Sequence, residues 1–144
     1  MTETTAAPRR NGYPGYTRTG RRVSASAAEG RELVRAALAA WELDSHADTA
    51  ALLMSELVTN AVRHANGPLL RMTVNRPADA WVRVSVVDTT PSRLPQLQDP
   101  GPGDEHGRGL MLIEALANRW GYDYVGASHN PWGKRVWAEI RVAP

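Results

Sequence analysis

At 144 residues the chain has the length of one domain and can bury a core without covalent staples. It contains no Cys, which excludes disulfides and thiolate metal sites, and its formal net charge of +2 is weak support for a polyanionic partner. No apolar run approaches the ~20 residues of a membrane span. The first twenty residues also lack the apolar segment of a signal peptide, so a soluble cytoplasmic protein is expected.

Residues 1 to about 15 carry Pro8, Pro14, Gly12 and Gly15 without periodicity and read as disordered. The expected division is a disordered tail at 1–20 and a single domain at 21–144. Arg9, Arg10, Arg18, Arg21 and Arg22 crowd this end, which reads as a solvated basic tail. No nucleic-acid recognition element stands behind it. A short strand is expected at 16–23. Ser24 or Ser26 then caps a helix to about Trp41, with Leu33, Val34, Ala37, Leu38 and Trp41 at helical spacing. Asp44 or Ser45 is the expected cap of a second helix running to about Ala65. Asn66-Gly67-Pro68 ends it, because Gly suits a left-handed position and Pro cannot continue the helix.

Two strands follow at 69–75 and 81–87, with Leu70, Met72 and Val74 alternating in one and Val82, Val84 and Val86 in the other. Residues 89–108 form a Pro- and Gly-rich stretch, long enough to suggest a functional loop. A third helix is expected to open at Gly107-Arg108-Gly109-Leu110 and reach about Trp120, followed by strands at 121–125 and 134–142. Paired strands beside separate helices predict an α+β fold. The expected form is a two-layer sandwich whose mixed, mostly antiparallel sheet carries helices on one face.

The second helix is the most informative element. At roughly 100° per residue, Glu56, Asn60 and Arg63 fall within an arc of about 60°, with His64 at its edge. Leu53, Met54, Leu57, Val58, Ala61, Val62 and Ala65 fill the other side. Most polar helix faces are simply solvated. Asn is an indifferent helix former, however, and its place in mid-helix asks for a reason. A carboxylate, a carboxamide and a guanidinium on one stripe suit a metal ion, a water and phosphates. Asp88 ends a strand at the mouth of the long loop, where a carboxylate is commonly only a turn former. The glycines before the third helix let backbone N–H groups approach an anion, but are also ordinary loop residues.

In this order the three features are more specific. Glu56-x-x-x-Asn60-Ala61 on a helix, Asp88 after two strands, and Gly107-x-Gly109-Leu110 opening the next helix resemble the GHKL ATP-binding superfamily of histidine kinases, gyrase and mismatch-repair ATPases. The resemblance covers about residues 20–142. The stretch SELVTNAVRHA and the single domain look most like bacterial anti-sigma-factor serine/threonine kinases and the small actinobacterial regulators related to them.

The resemblance implies roles position by position. Asn60 would ligate Mg²⁺ on the phosphates of ATP, as a neutral oxygen ligand for a hard cation. Glu56 would be the general base toward a protein serine. Asp88 would accept a hydrogen bond from the adenine amino group. Gly107, Gly109 and the N–H groups through Leu110 would cradle phosphate, with Arg63 and Arg108 neutralising charge. The implied partners are a sigma factor and an anti-anti-sigma antagonist, with a possible homodimer and no direct nucleic-acid or membrane contact.

Two positions depart from the family pattern. Thr90 stands where a Gly usually follows the adenine-binding Asp by two residues. Gly133-Lys134-Arg135-Val136 lacks the Thr that many relatives carry in the last strand pair. The alternative these departures raise is a partner-binding module of the same fold with a degenerate nucleotide site. His46, His64, His106 and His129 sit on different elements, without the spacing of helical zinc ligands. Trp41, Trp81, Trp120, Trp132 and Trp137 read as core and edge aromatics.

Overall fold

The computed structural model describes residues 3–7, 12–91 and 106–142. Among the described residues six strands form one sheet: β1 (Glu3–Ala7), β2 (Gly15–Arg21), β3 (Leu69–Ala78), β4 (Trp81–Asp88), β5 (Arg119–Ala127) and β6 (Asn130–Arg141). Their order across the sheet is β1-β2-β3-β4-β6-β5, and every pairing is antiparallel. The path from β4 passes through a helix to the far edge, and the β5–β6 hairpin then returns β6 beside β4. The fold is therefore α+β, as expected, although the described sheet is antiparallel throughout and not mixed.

The described helices α1 (Ser26–Ala40), α2 (Ala47–His64) and α3 (His106–Leu116) form the second layer. The two-residue period of a strand sends Leu70, Met72 and Val74 of β3 into the core beside Val82, Val84 and Val86 of β4. Val136, Ala138 and Ile140 of β6 extend the same face. Against it lie Leu33, Val34, Ala37 and Leu38 of α1, Leu53, Met54, Leu57 and Val58 of α2, and Ile113 of α3. Each large side chain buried there contributes about 1.5–3 kcal/mol. Among the described residues, no helix is long and apolar enough to cross a membrane.

The N-terminal reading needs correction. Residues 3–7, expected to lie in a disordered tail, pair with β2 in the register Glu3↔Thr19 to Ala7↔Gly15. Such a strand is held by its main-chain ladder to a sheet edge, and that leaves no apolar periodicity in the sequence. Arg18 approaches Glu29 and Glu32 of α1 and so is not simply solvated. Arg9 and Arg10 lie outside the described residues.

The expected caps also differ. Ser26 begins α1 and donates its hydroxyl to the Arg21 carbonyl, and the N-cap position is Ala25. Asp44 and Ser45 belong to a separate 3₁₀ turn, Asp44–His46, so α2 starts only at Ala47. Neither helix has a side-chain cap; α1 is entered through successive tight turns whose main-chain bonds serve its first N–H groups. At the other end of the chain α3 stops at Leu116, because the chain turns into β5 at Arg119, before Trp120. Most of the long loop, residues 92–105, lies outside the described residues.

Candidate functional site

The polar stripe of α2 forms as its periodicity predicts. Leu53, Met54, Leu57, Val58 and Ala61 are buried, while Glu56 and Asn60 are half-buried and Arg63 is exposed. Burial raises the proton affinity of Glu56 above the ordinary glutamate range, and the charge of Arg63 offsets this only in part. The Asn60 carboxamide has no hydrogen-bond partner among the described residues. A half-buried amide that no described residue holds and that water still reaches, one turn from a carboxylate, is a place where a ligand can take over those hydrogen bonds.

The end of α2 is tied down from two sides. Ala65 turns to extended backbone and Gly67 adopts φ +88°, where a Cβ would also meet the Thr89 hydroxyl. Arg22 closes the helix by donating to the carbonyls of Val62 and Gly67, both at 2.6 Å. This places Arg22 in the domain's framework and not in a solvated tail. Thr90 is the second clamp: its hydroxyl accepts the Asn66 N–H at 2.6 Å. The residue standing in the family's glycine position thus fastens the end of β4 to the end of α2.

Asp88 continues the core-facing row of Val82, Val84 and Val86, so the period of β4 carries its carboxylate inward. Lys134 lies directly opposite it in the β4–β6 register, on the same face. The two side chains form a bidentate ion pair, with Lys134 Nζ 3.0 Å from Asp88 Oδ1 and 2.9 Å from Oδ2. The ammonium also donates to the Thr90 carbonyl at 2.8 Å, and Asp88 Oδ1 accepts the Thr90 N–H at 2.8 Å. Both side chains are almost fully buried, at 2% exposure for Asp88 and 5% for Lys134. Gly133 permits this approach, because a Cβ there would collide with the Asp88 carbonyl.

Comparison with known proteins identifies the scaffold. Residues 22–139 match the model of the histidine kinase-like ATPase domain family. The chain belongs to this family. An uncharacterized protein of Streptomyces coelicolor is 38% identical over 77 residues, a span covering 51% of this chain and 71% of that protein.

Set against a nucleotide, the two parts of this histidine kinase-like ATPase domain differ. Asn60 supplies a hard neutral oxygen donor of the kind that holds Mg²⁺, Glu56 supplies a carboxylate able to take a proton one turn earlier, and neither group is engaged by another described residue at bonding distance. That end fits. Asp88 does not present its carboxylate to an amino group of a base, because Lys134 and the Thr90 N–H hold it and it is almost wholly buried.

Gly107, Arg108, Gly109 and Leu110 lie within the first turns of α3, which starts at His106, one residue ahead of the expected opening. This helix packs on α2, so its N-terminal turn belongs to the same layer as the Glu56–Asn60 stripe. The side chains of Arg108 and Leu110 lie outside the described ones. Lys134 was noted in the sequence as a departure from the family pattern, not as a partner of Asp88. Two signals pointed to it: it is the chain's single Lys among sixteen Arg, and it has the strand parity of Val136 and Ala138.

Proposed function

We propose that the chain is an ATP-binding regulatory protein of the cytoplasm, acting as an anti-sigma factor and as a serine/threonine kinase of an anti-anti-sigma antagonist. The observation that carries the reading is the α2 stripe, where a carboxylate of raised proton affinity stands one turn before a carboxamide that no other described residue holds. Asn60 holds Mg²⁺, and Glu56 accepts the proton of the attacking serine hydroxyl. A base whose proton affinity has been raised toward neutrality is better matched to that transfer. Arg63 and Arg108 offset phosphate charge, and the main chain from Gly107 to Leu110 offers N–H groups at a helix N-terminus. Mg-ATP, when bound, supplies the phosphoryl group. A homodimer and a bound sigma factor complete the proposed assembly.

A second reading is favoured by one observation, the Asp88–Lys134 pair. If that pair closes the site to nucleotide altogether, the fold serves as a partner-binding module without transfer. Incubation with labelled Mg-ATP and antagonist proteins encoded nearby tests the kinase reading. Transfer to a serine is the expected result, and saturable ATP binding should depend on Mg²⁺ in the parent and not in Asn60→Ala. No transfer to any antagonist and no binding at millimolar Mg-ATP would leave the partner-binding module.

A further inference from the structure

We infer that Lys134 has replaced the base as the partner of Asp88, so that this site takes its ligand as a metal-bound triphosphate without selecting adenine. The inference rests on the nucleotide reading of the α2 stripe and narrows its ligand class.

Hydrogen bonding and burial together close this end of the site. An ammonium has three donors, and Lys134 meets three acceptors: Asp88 Oδ1, Asp88 Oδ2 and the Thr90 carbonyl. It has none left. Asp88 Oδ1 takes a further bond from the Thr90 N–H, and its side chain shows almost no surface to solvent. Oδ2 keeps one acceptor site, but it is buried behind Lys134 and Thr90, and an amino group that pushed the ammonium aside to reach it would leave a buried cation with a single carbonyl. A guanine carbonyl at the same place would find no free donor either. The pocket end is therefore self-satisfied toward both bases, and discrimination falls to the phosphates and their metal.

The residue type supports this. Every other strongly basic side chain in the protein is Arg, and the single Lys sits here. A planar five-donor guanidinium could not be satisfied by these three acceptors, whereas a compact ammonium is.

The single Lys also makes the test direct. Calorimetric titration of the full chain with Mg-ATP, Mg-GTP and Mg-tripolyphosphate should give ATP and GTP affinities within about threefold, with tripolyphosphate also bound. Amine acetylation read by mass should leave Lys134 unmodified in the parent, with or without saturating Mg-ATP. Lys134→Thr, which puts a small hydroxyl beside Asp88 in place of the ammonium, should favour ATP over GTP by roughly ten- to a hundredfold, the range of a hydrogen bond to a charged acceptor. A parent that prefers ATP tenfold overturns the inference, as does Lys134 becoming acetylated when Mg-ATP binds. Both measurements use the parent alone and stand even if the variant does not fold. Binding by Lys134→Thr but of none of the three ligands by the parent would overturn it too, since Lys134 would then block the site and not merely the base. No binding by either protein would overturn the nucleotide reading of α2 along with it.

Discussion

The two ends of the candidate site carry similar chemistry and opposite states of satisfaction. On α2, Glu56 and Asn60 stand on a helix face whose neighbours along the stripe are one turn away, and the Asn60 amide is left without a partner among the described residues. At the end of β4, Asp88 is held by Lys134 and Thr90 and is almost wholly buried. The difference lies in the element. A strand residue inherits a neighbour from the adjacent strand, and the register chooses which one. A helix residue facing away from its packing surface inherits none. An acidic residue in a family's ligand position is therefore available only if its cross-strand neighbour leaves it so.

The largest effect is expected at Glu56. Glu56→Gln keeps the shape and a hydrogen-bonding carbonyl but cannot take a proton, so transfer to an antagonist serine should fall by about 10²–10⁴ with Mg-ATP affinity kept within a few fold. Undiminished transfer would return Glu56 to an ordinary helix face. The closed end is tested through stability. Lys134→Met leaves the Asp88 carboxylate buried and unpaired and should cost about 3–5 kcal/mol in urea denaturation. Asp88→Leu combined with Lys134→Met removes both charges and should recover most of that loss. A double variant as unstable as the single one would show that packing, and not the pair, holds this end.

Smaller effects should come from the Thr90 clamp between the two ends and from pH. Thr90→Val keeps the volume but removes the acceptor of the Asn66 N–H, with an expected loss of about 1 kcal/mol on thermal or chemical unfolding. No change would mean that water takes over the bond. The smallest effect concerns the titration of Glu56. Because burial raises its proton affinity in the folded state, that state binds more protons than the unfolded chain. Stability contributed at Glu56 therefore falls as pH rises from the ordinary value of 4.5 through the raised one. Glu56→Gln should be more stable than the parent at neutral pH, and the gain should vanish below pH 4.5. A gain that does not change with pH would assign it to something other than desolvation.

Much of this was readable from local pattern. The 3.6-residue period placed α1 and α2 and put Glu56, Asn60 and Arg63 on one stripe, because a helix face is set by spacing alone. Alternation placed β3 and β4, and Asn66-Gly67-Pro68 marked the end of α2, where Gly67 does take a positive φ. The parity of Asp88 with Val86 was also present in the sequence.

What lay opposite Asp88 was not. Lys134 is 46 residues away and reaches it only because β6 inserts between β4 and β5 in the sheet order. Arg22 meets the carbonyl of Val62 across 40 residues, and β1 exists through main-chain pairing with β2. Periodicity determines which way a side chain faces, since that follows from backbone geometry within a few residues. Which group it meets there depends on strand order and register, which are decided when the whole core closes, and that decides whether a polar group remains open to a ligand.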